Sequence, residues 1–190
     1  QLYLAKELKK AFLKYVNSLH LKGPDGTSLT LKKNGDGPFK EYVVSLYAAS
    51  AQSALNRGED LSHLDWLTVE NGLVKGVDLE KYATYATRLK GVPAFDDLGL
   101  ESGENSEFGT ATLRARHFTK LGERFSTVHV SGRASGRIVH MMNPLYYIGK
   151  KGTTVALHWR IRHGSVDRDT SLAIPAILAL RLQNTGYDVD

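Results

Sequence analysis

Leu4, Leu8, Phe12, Tyr15, Val16 and Leu19 recur at helical spacing with lysine and glutamate between them. The chain should therefore open with an amphipathic helix that runs to the break at Gly23-Pro24-Asp25-Gly26. Pro38 is placed to open a second helix, because the first helical amide needs no partner, and that helix should end near Gly58. In LTVENGLVK, Asn71-Gly72 separates two runs rich in β-formers, and both residues tolerate the positive φ of a hairpin turn. Asp78 can cap a third helix through Tyr82, Tyr85 and Leu89, stopped by Gly91 and Pro93. Residues 93–109 are acidic and glycine-rich and read as a surface loop whose carboxylates reach a cleft. A helix over Ala111 to Leu121 follows, then a loose stretch to about Gly136, and then Ile138, Val139, Met141 and Met142 lead into Asn143-Pro144.

Beyond Lys151-Gly152 the period changes. Val155, Leu157, Trp159 and Ile161 alternate with Ala156, His158, Arg160 and Arg162, which is strand spacing that ends at Gly164. Asp167, Asp169 and Thr170 lie at the turn into an apolar helix over Leu172 to Leu182, Gly186 takes its C-terminal cap, and Tyr187 to Asp190 begins another strand. Strand, loop, helix, glycine, strand is the pattern of a parallel crossover, so the fold class is α/β. One long strand and the start of a second do not complete a parallel sheet. Residues beyond these 190, or another chain, are expected to supply the rest.

The 42% hydrophobic content supplies a core, and no cysteine is present, which removes disulfides, thiolate metal sites and a cysteine nucleophile. The net charge of +5 is scattered along the chain and does not call for a nucleic-acid partner. No apolar run approaches the roughly 20 residues that cross a bilayer, so no membrane role is expected. The opening QLYLAKELKK has neither an initiator Met nor a signal-peptide pattern; the chain is expected to start inside a longer one, with its compartment left open.

Asp167 lies just past the end of a parallel strand, where α/β enzymes place chemistry. There it can orient a catalytic imidazole, the third-member role in a Ser-His-Asp arrangement, or it can simply satisfy amides at the helix start. No G-x-S-x-G elbow occurs; Gly132-Arg133-Ala134-Ser135-Gly136 has the wrong spacing, and Gly164-Ser165 lacks the remainder. The seven histidines form no metal-ligand pattern, and no glycine-rich phosphate cradle is present, so neither a metal nor another cofactor is expected. His158 and His163 read as packing partners, and the basic run W-R-I-R-H with Arg168 as a solvated face.

The segment around Gly164-Ser165-Val166-Asp167-Arg168-Asp169-Thr170-Ser171 resembles the bacterial tannases, the tannin acylhydrolases. The resemblance extends back through Asn143-Pro144-Leu145, the HFTKL stretch, Glu104-Asn105 and R-L-K-G-V-P-A-F-D to the opening F-L-K-Y-V-N-S-L. It implies a serine esterase of the α/β-hydrolase fold with a large, mainly helical lid, acting on galloyl and related phenolic esters. Residues 1–142 then resemble most of the lid, and 143–190 part of the hydrolase core. Asp167 matches the acidic triad member, while Asp169, Lys90 and Glu104 match contacts to the galloyl hydroxyls. The serine is expected upstream of residue 1 and the histidine downstream of the strand near Tyr187, so these 190 residues alone should be inactive. The implied partners are the phenolic ester and the remainder of the core. A feruloyl-type esterase and a non-catalytic binding or assembly module are the other readings.

Overall fold

The computed structural model describes residues 1–129 and 132–190. These form two compact units: a first of residues 1–9 and 90–154, and a second of residues 10–89 and 155–190. The opening helix α1 (Leu2–Ser18) contributes residues to both. These units follow compactness, whereas the boundary expected near residue 142 follows the family resemblance.

In the second unit, α2 (Pro38–Asn56) begins at the proline that opens it and buries Phe39, Val43, Tyr47, Ala51 and Ala54, a stripe repeating every three or four residues. Gly37 precedes it at φ 134, where an added Cβ would lie 2.6 Å from the Thr30 carbonyl oxygen, so the chain enters the helix only through glycine. Strands β1 (Leu67–Glu70) and β2 (Leu73–Val77) pair antiparallel around Asn71 and Gly72 at φ 51 and 74, the hairpin that this dipeptide predicts. The Gln52 side chain ties the hairpin to α2 by accepting from Val74 N at 2.9 Å and donating to Gly72 O at 3.0 Å.

Asp78 caps α3 (Leu79–Tyr85) by accepting from the Glu80 and Lys81 amides. The expected run to Leu89 does not form. Thr87 takes φ 51, its amide donates to Thr84 O at 3.0 Å, and the Arg88 amide donates to Ala83 O at 2.8 Å. This is a helix-ending pattern usually marked by glycine; here a threonine occupies the left-handed position and hides the stop.

Strand β3 (His158–Trp159) pairs in parallel with β4 (Asp188–Val189), on either side of α7 (Ala173–Asn184) in the chain. The ladder runs from Asp188 N to Leu157 O, Asp190 N to Trp159 O and Ile161 N to Asp190 O. Only residues 158–159 are strand, far fewer than the alternation predicts, because among the described residues β4 is the one neighbour and Leu157 stays 69% exposed. Helix α7 buries Ala176, Ile177, Leu180 and Leu182, and Gly186 at φ 91 follows it as expected.

The first unit is built from short elements: α4 (Gly103–Glu107), α5 (Lys120–Arg124), α6 (Gly136–Met141) and a 3-10 turn at Pro144–Tyr146. The helix expected over Ala111 to Leu121 is absent; only Lys120 onward is helical, and His117 instead bridges to Arg133. Nor is the acidic segment 93–109 simply a surface loop, since it contains α4 and the buried Asp96 and Asn105. Two residues of the expected loose stretch, 130 and 131, lie outside the described residues. No helix among the described residues is long and apolar enough to cross a membrane.

Candidate functional site

The turn between β3 and α7 in the second unit carries Asp167. Its Oδ1 accepts from the Asp169 amide at 2.8 Å and the Thr170 amide at 2.9 Å, which folds the chain around the carboxylate. These are amides of the turn, not of α7, whose N-cap Leu172 has no side-chain partner. The amides of Thr170 and Asp169 hold the Asp167 carboxyl below the usual carboxylate range, and His163 and Arg88 nearby add to the effect. The second oxygen, Oδ2, has His163 Nε2 at 3.9 Å, beyond hydrogen-bond reach. That imidazole nitrogen instead lies 2.8 Å from Thr170 O, and since a carbonyl only accepts, Nε2 carries the proton. Asp167 is partly exposed, at 35% of its side chain, and among the described residues no hydrogen-bond donor reaches Oδ2.

Residues far upstream hold this turn. Arg88 Nη1 donates to Asp167 O at 2.5 Å and also to Thr170 O. Tyr82, 3% exposed, donates through its hydroxyl to Ser165 O at 2.7 Å. Tyr82 and Arg88 also border a cavity of about 310 Å³ whose other walls include Phe12, Phe39, Tyr47 and Ser171.

Asp169 is exposed on the same turn as Asp167, so these two expected residues do come together. Lys90 and Glu104 belong to the first unit, and both are exposed there. Glu104 sits in α4, whose N-cap Ser102 accepts from the Asn105 amide at 3.0 Å. The neighbouring Asn105 side chain is buried; it accepts from Asp97 N and donates to Asp96 Oδ1 at 2.8 Å and Arg116 O at 3.1 Å.

Asp96 is the centre of that network. Its Oδ1 also meets His117 Nδ1 at 2.7 Å, and its Oδ2 accepts from Thr119 N at 2.8 Å and Thr119 Oγ1 at 2.5 Å. Burial pushes the Asp96 carboxyl up, but the hydrogen bonds from Thr119, His117 and Asn105 outweigh it and leave the group below its ordinary range. A Cβ on Gly122 would run into this carboxylate. The network, with Arg88 and Tyr82, escapes a reading by periodicity. The signal that touches it is the resemblance, which runs through Arg88 to Asp96, Asn105 and His117.

Among the described residues no serine hydroxyl is hydrogen-bonded to an imidazole, and no group of three His, Asp or Glu is arranged to hold a metal ion. What the turn between β3 and α7 offers chemically is an oriented carboxylate with a free face, and no serine among the described residues is paired with a base.

No protein-family model and no curated protein sequence matches the chain. Solved structures do. The crystal structure of a tannase from Lactobacillus plantarum matches with TM-score 0.95 and 45% identity, covering 99% of this chain and 40% of that one. A tannin acyl hydrolase in complex with ethyl gallate matches with TM-score 0.93 and 45% identity, covering 99% of this chain and 41% of that one. The Fusobacterium nucleatum tannase matches with TM-score 0.88 and 42% identity, covering 99% and 40%. The chain thus spans about 40% of the length of these tannases.

Proposed function

We propose that this chain, which corresponds along nearly its whole length to a segment of the bacterial tannases, belongs to a serine esterase that hydrolyses galloyl esters. In this reading residues 1–142 are most of a lid and residues 143–190 part of an α/β-hydrolase core. The complex of one relative with ethyl gallate supports the substrate class. The observation that carries the reading is the Asp167 carboxylate: one oxygen is tied down by the turn amides, while the other faces no donor within hydrogen-bond reach among the described residues. An Asp that orients a catalytic imidazole needs that combination of fixed position and open acceptor.

In this reading the nucleophilic serine and the general-base histidine are supplied from outside these 190 residues. The serine hydroxyl adds to the ester carbonyl while the imidazole takes its proton. The imidazole then protonates the departing alcohol, leaving a galloyl-serine. Water, deprotonated by the same imidazole, releases gallic acid and restores the serine. Asp167 holds the imidazole tautomer and stabilises the imidazolium. Asp169 and Glu104 accept hydrogen bonds from the phenolic hydroxyls, and the Lys90 ammonium favours their partly ionised oxygens.

Gallate release from methyl gallate by the chain with its flanking sequence, wild type against Asp167→Ala, is the test. A wild-type rate in the variant would remove Asp167 from the mechanism. The 190 residues alone should release no gallate.

A further inference from the structure

We infer that Arg88, backed by Tyr82, is a positioning residue for the turn that carries Asp167. The inference rests on Asp167 being the acidic member of the triad. Residues 164–170 belong to no strand or helix, so something other than a ladder must hold them. Their Oδ1-centred turn fixes Asp167 relative to Asp169 and Thr170, but does not fix the turn relative to the rest of the unit.

Arg88 supplies that link. Its Nη1 donates to the carbonyls of Asp167 and Thr170, the first and last residues of the turn. Two carbonyl oxygens converging on one spot repel each other, and a cation between them turns that repulsion into charge-assisted hydrogen bonds. His163 adds a second donor to the Thr170 oxygen. Just before the turn, Tyr82 holds Ser165 O, and its own ring is fixed 4.4 Å from that of Tyr47 and 5.2 Å from that of Trp66. Arg88 is anchored at its main chain too, because its amide completes the motif that ends α3.

The holding residues are 79 to 83 positions away in sequence from the residues they hold. In the proposed division, lid residues thereby set the direction of a core carboxylate. Without the guanidinium the two carbonyls rotate apart, and Oδ2 swings with them. An ångström of misplacement at a catalytic group is enough to cost about 100-fold in rate.

The test uses the full-length protein with Arg88→Met, which keeps length and removes donors, Arg88→Lys, which keeps a point charge, and Tyr82→Phe. In Arg88→Met, amide exchange at Asp169 and Thr170 should quicken about 10-fold or more while that of α7 is unchanged. The kcat should fall about 10- to 100-fold for methyl gallate and for a simple aryl acetate alike, since the defect lies in the triad. The acid limb of the pH profile should move to lower pH, because an imidazole that has lost its carboxylate is easier to deprotonate. Arg88→Lys should recover part of each change, a pattern that general destabilisation would not give.

Wild-type kcat, pH profile and exchange in Arg88→Met would overturn the inference. If that variant does not fold, wild-type behaviour in both Arg88→Lys and Tyr82→Phe would do so. A wild-type rate in Asp167→Ala would instead sink the triad reading, leaving the clamp to be judged by exchange alone.

Discussion

Asp96 and Asp167 each sit beside a histidine and have carboxyls held below the ordinary range, yet they are built oppositely. Asp96 in the first unit is 4% exposed, touches His117 at 2.7 Å and has donors on both oxygens. Asp167 in the second unit is partly exposed, has donors on one oxygen, and its nearest imidazole is turned to a carbonyl. By distance alone, Asp96 and His117 look more like the catalytic pair. By valence they do not, because every lone pair that a substrate or third residue needs at Asp96 is already in use. A closed carboxylate builds a fold, and an open one on a rigid turn is available for chemistry.

The largest effect is expected from Asp167→Asn. The new side chain keeps an oxygen for the turn amides but offers the proposed imidazole an NH2 where it needs an acceptor. In the full-length protein kcat on methyl gallate should drop about 10³- to 10⁴-fold with little change in thermal midpoint. Asp96→Asn should do the reverse. Its NH2 would face Thr119 N on one side or Asn105 Nδ2 on the other, both donors, so urea or thermal unfolding should show a loss of about 3–5 kcal/mol. A stable but inactive Asp96→Asn protein would reverse the roles assigned to the two groups. Gly122→Ala should cost about 1–3 kcal/mol through overpacking against the same carboxylate.

The contrast also explains what a sequence makes visible. Helix α2 and the Asn71-Gly72 hairpin follow local rules, an apolar stripe and a positive-φ dipeptide, so they are legible residue by residue. The helix expected over Ala111 to Leu121 fails because His117 and Thr119 are drawn to Asp96, more than 20 positions upstream, a long-range demand that no window records. Strand β3 is over-read for a related reason: alternation signals the capacity to pair, and pairing needs neighbours. At the turn, the position of Asp167 after a strand was legible, but not the Arg88 clamp, since Thr87 masks the end of α3.

Smaller effects are expected from the exposed groups. Lys90→Met, Glu104→Gln and Asp169→Asn should each reduce kcat/KM for galloyl esters about 10- to 100-fold more than for a simple aryl acetate. A hydroxyl-binding site loses most against the substrate whose hydroxyls it pairs. An equal loss on both esters would remove that residue from recognition, and insensitivity to the third ring hydroxyl in a substrate panel would favour a hydroxycinnamoyl ester.

The smallest effect concerns acid. Asp96 has a folded pKa below its unfolded value of about 3.9, so its stabilisation is complete above that value and is lost as pH falls through the folded pKa. Asp167 is shifted in the same direction, but it is partly exposed and solvent screens its interactions. Acid titration followed by residue-resolved hydrogen exchange should therefore show a steeper loss of protection around Asn105 and Thr119 than around Thr170 as pH falls below about 4. In Asp96→Asn that steep component should disappear, while in Asp167→Asn it should persist. If the loss is equal around both groups in the wild type, then burial does not separate them. The distinction would then have to rest on the unpaired Oδ2 alone.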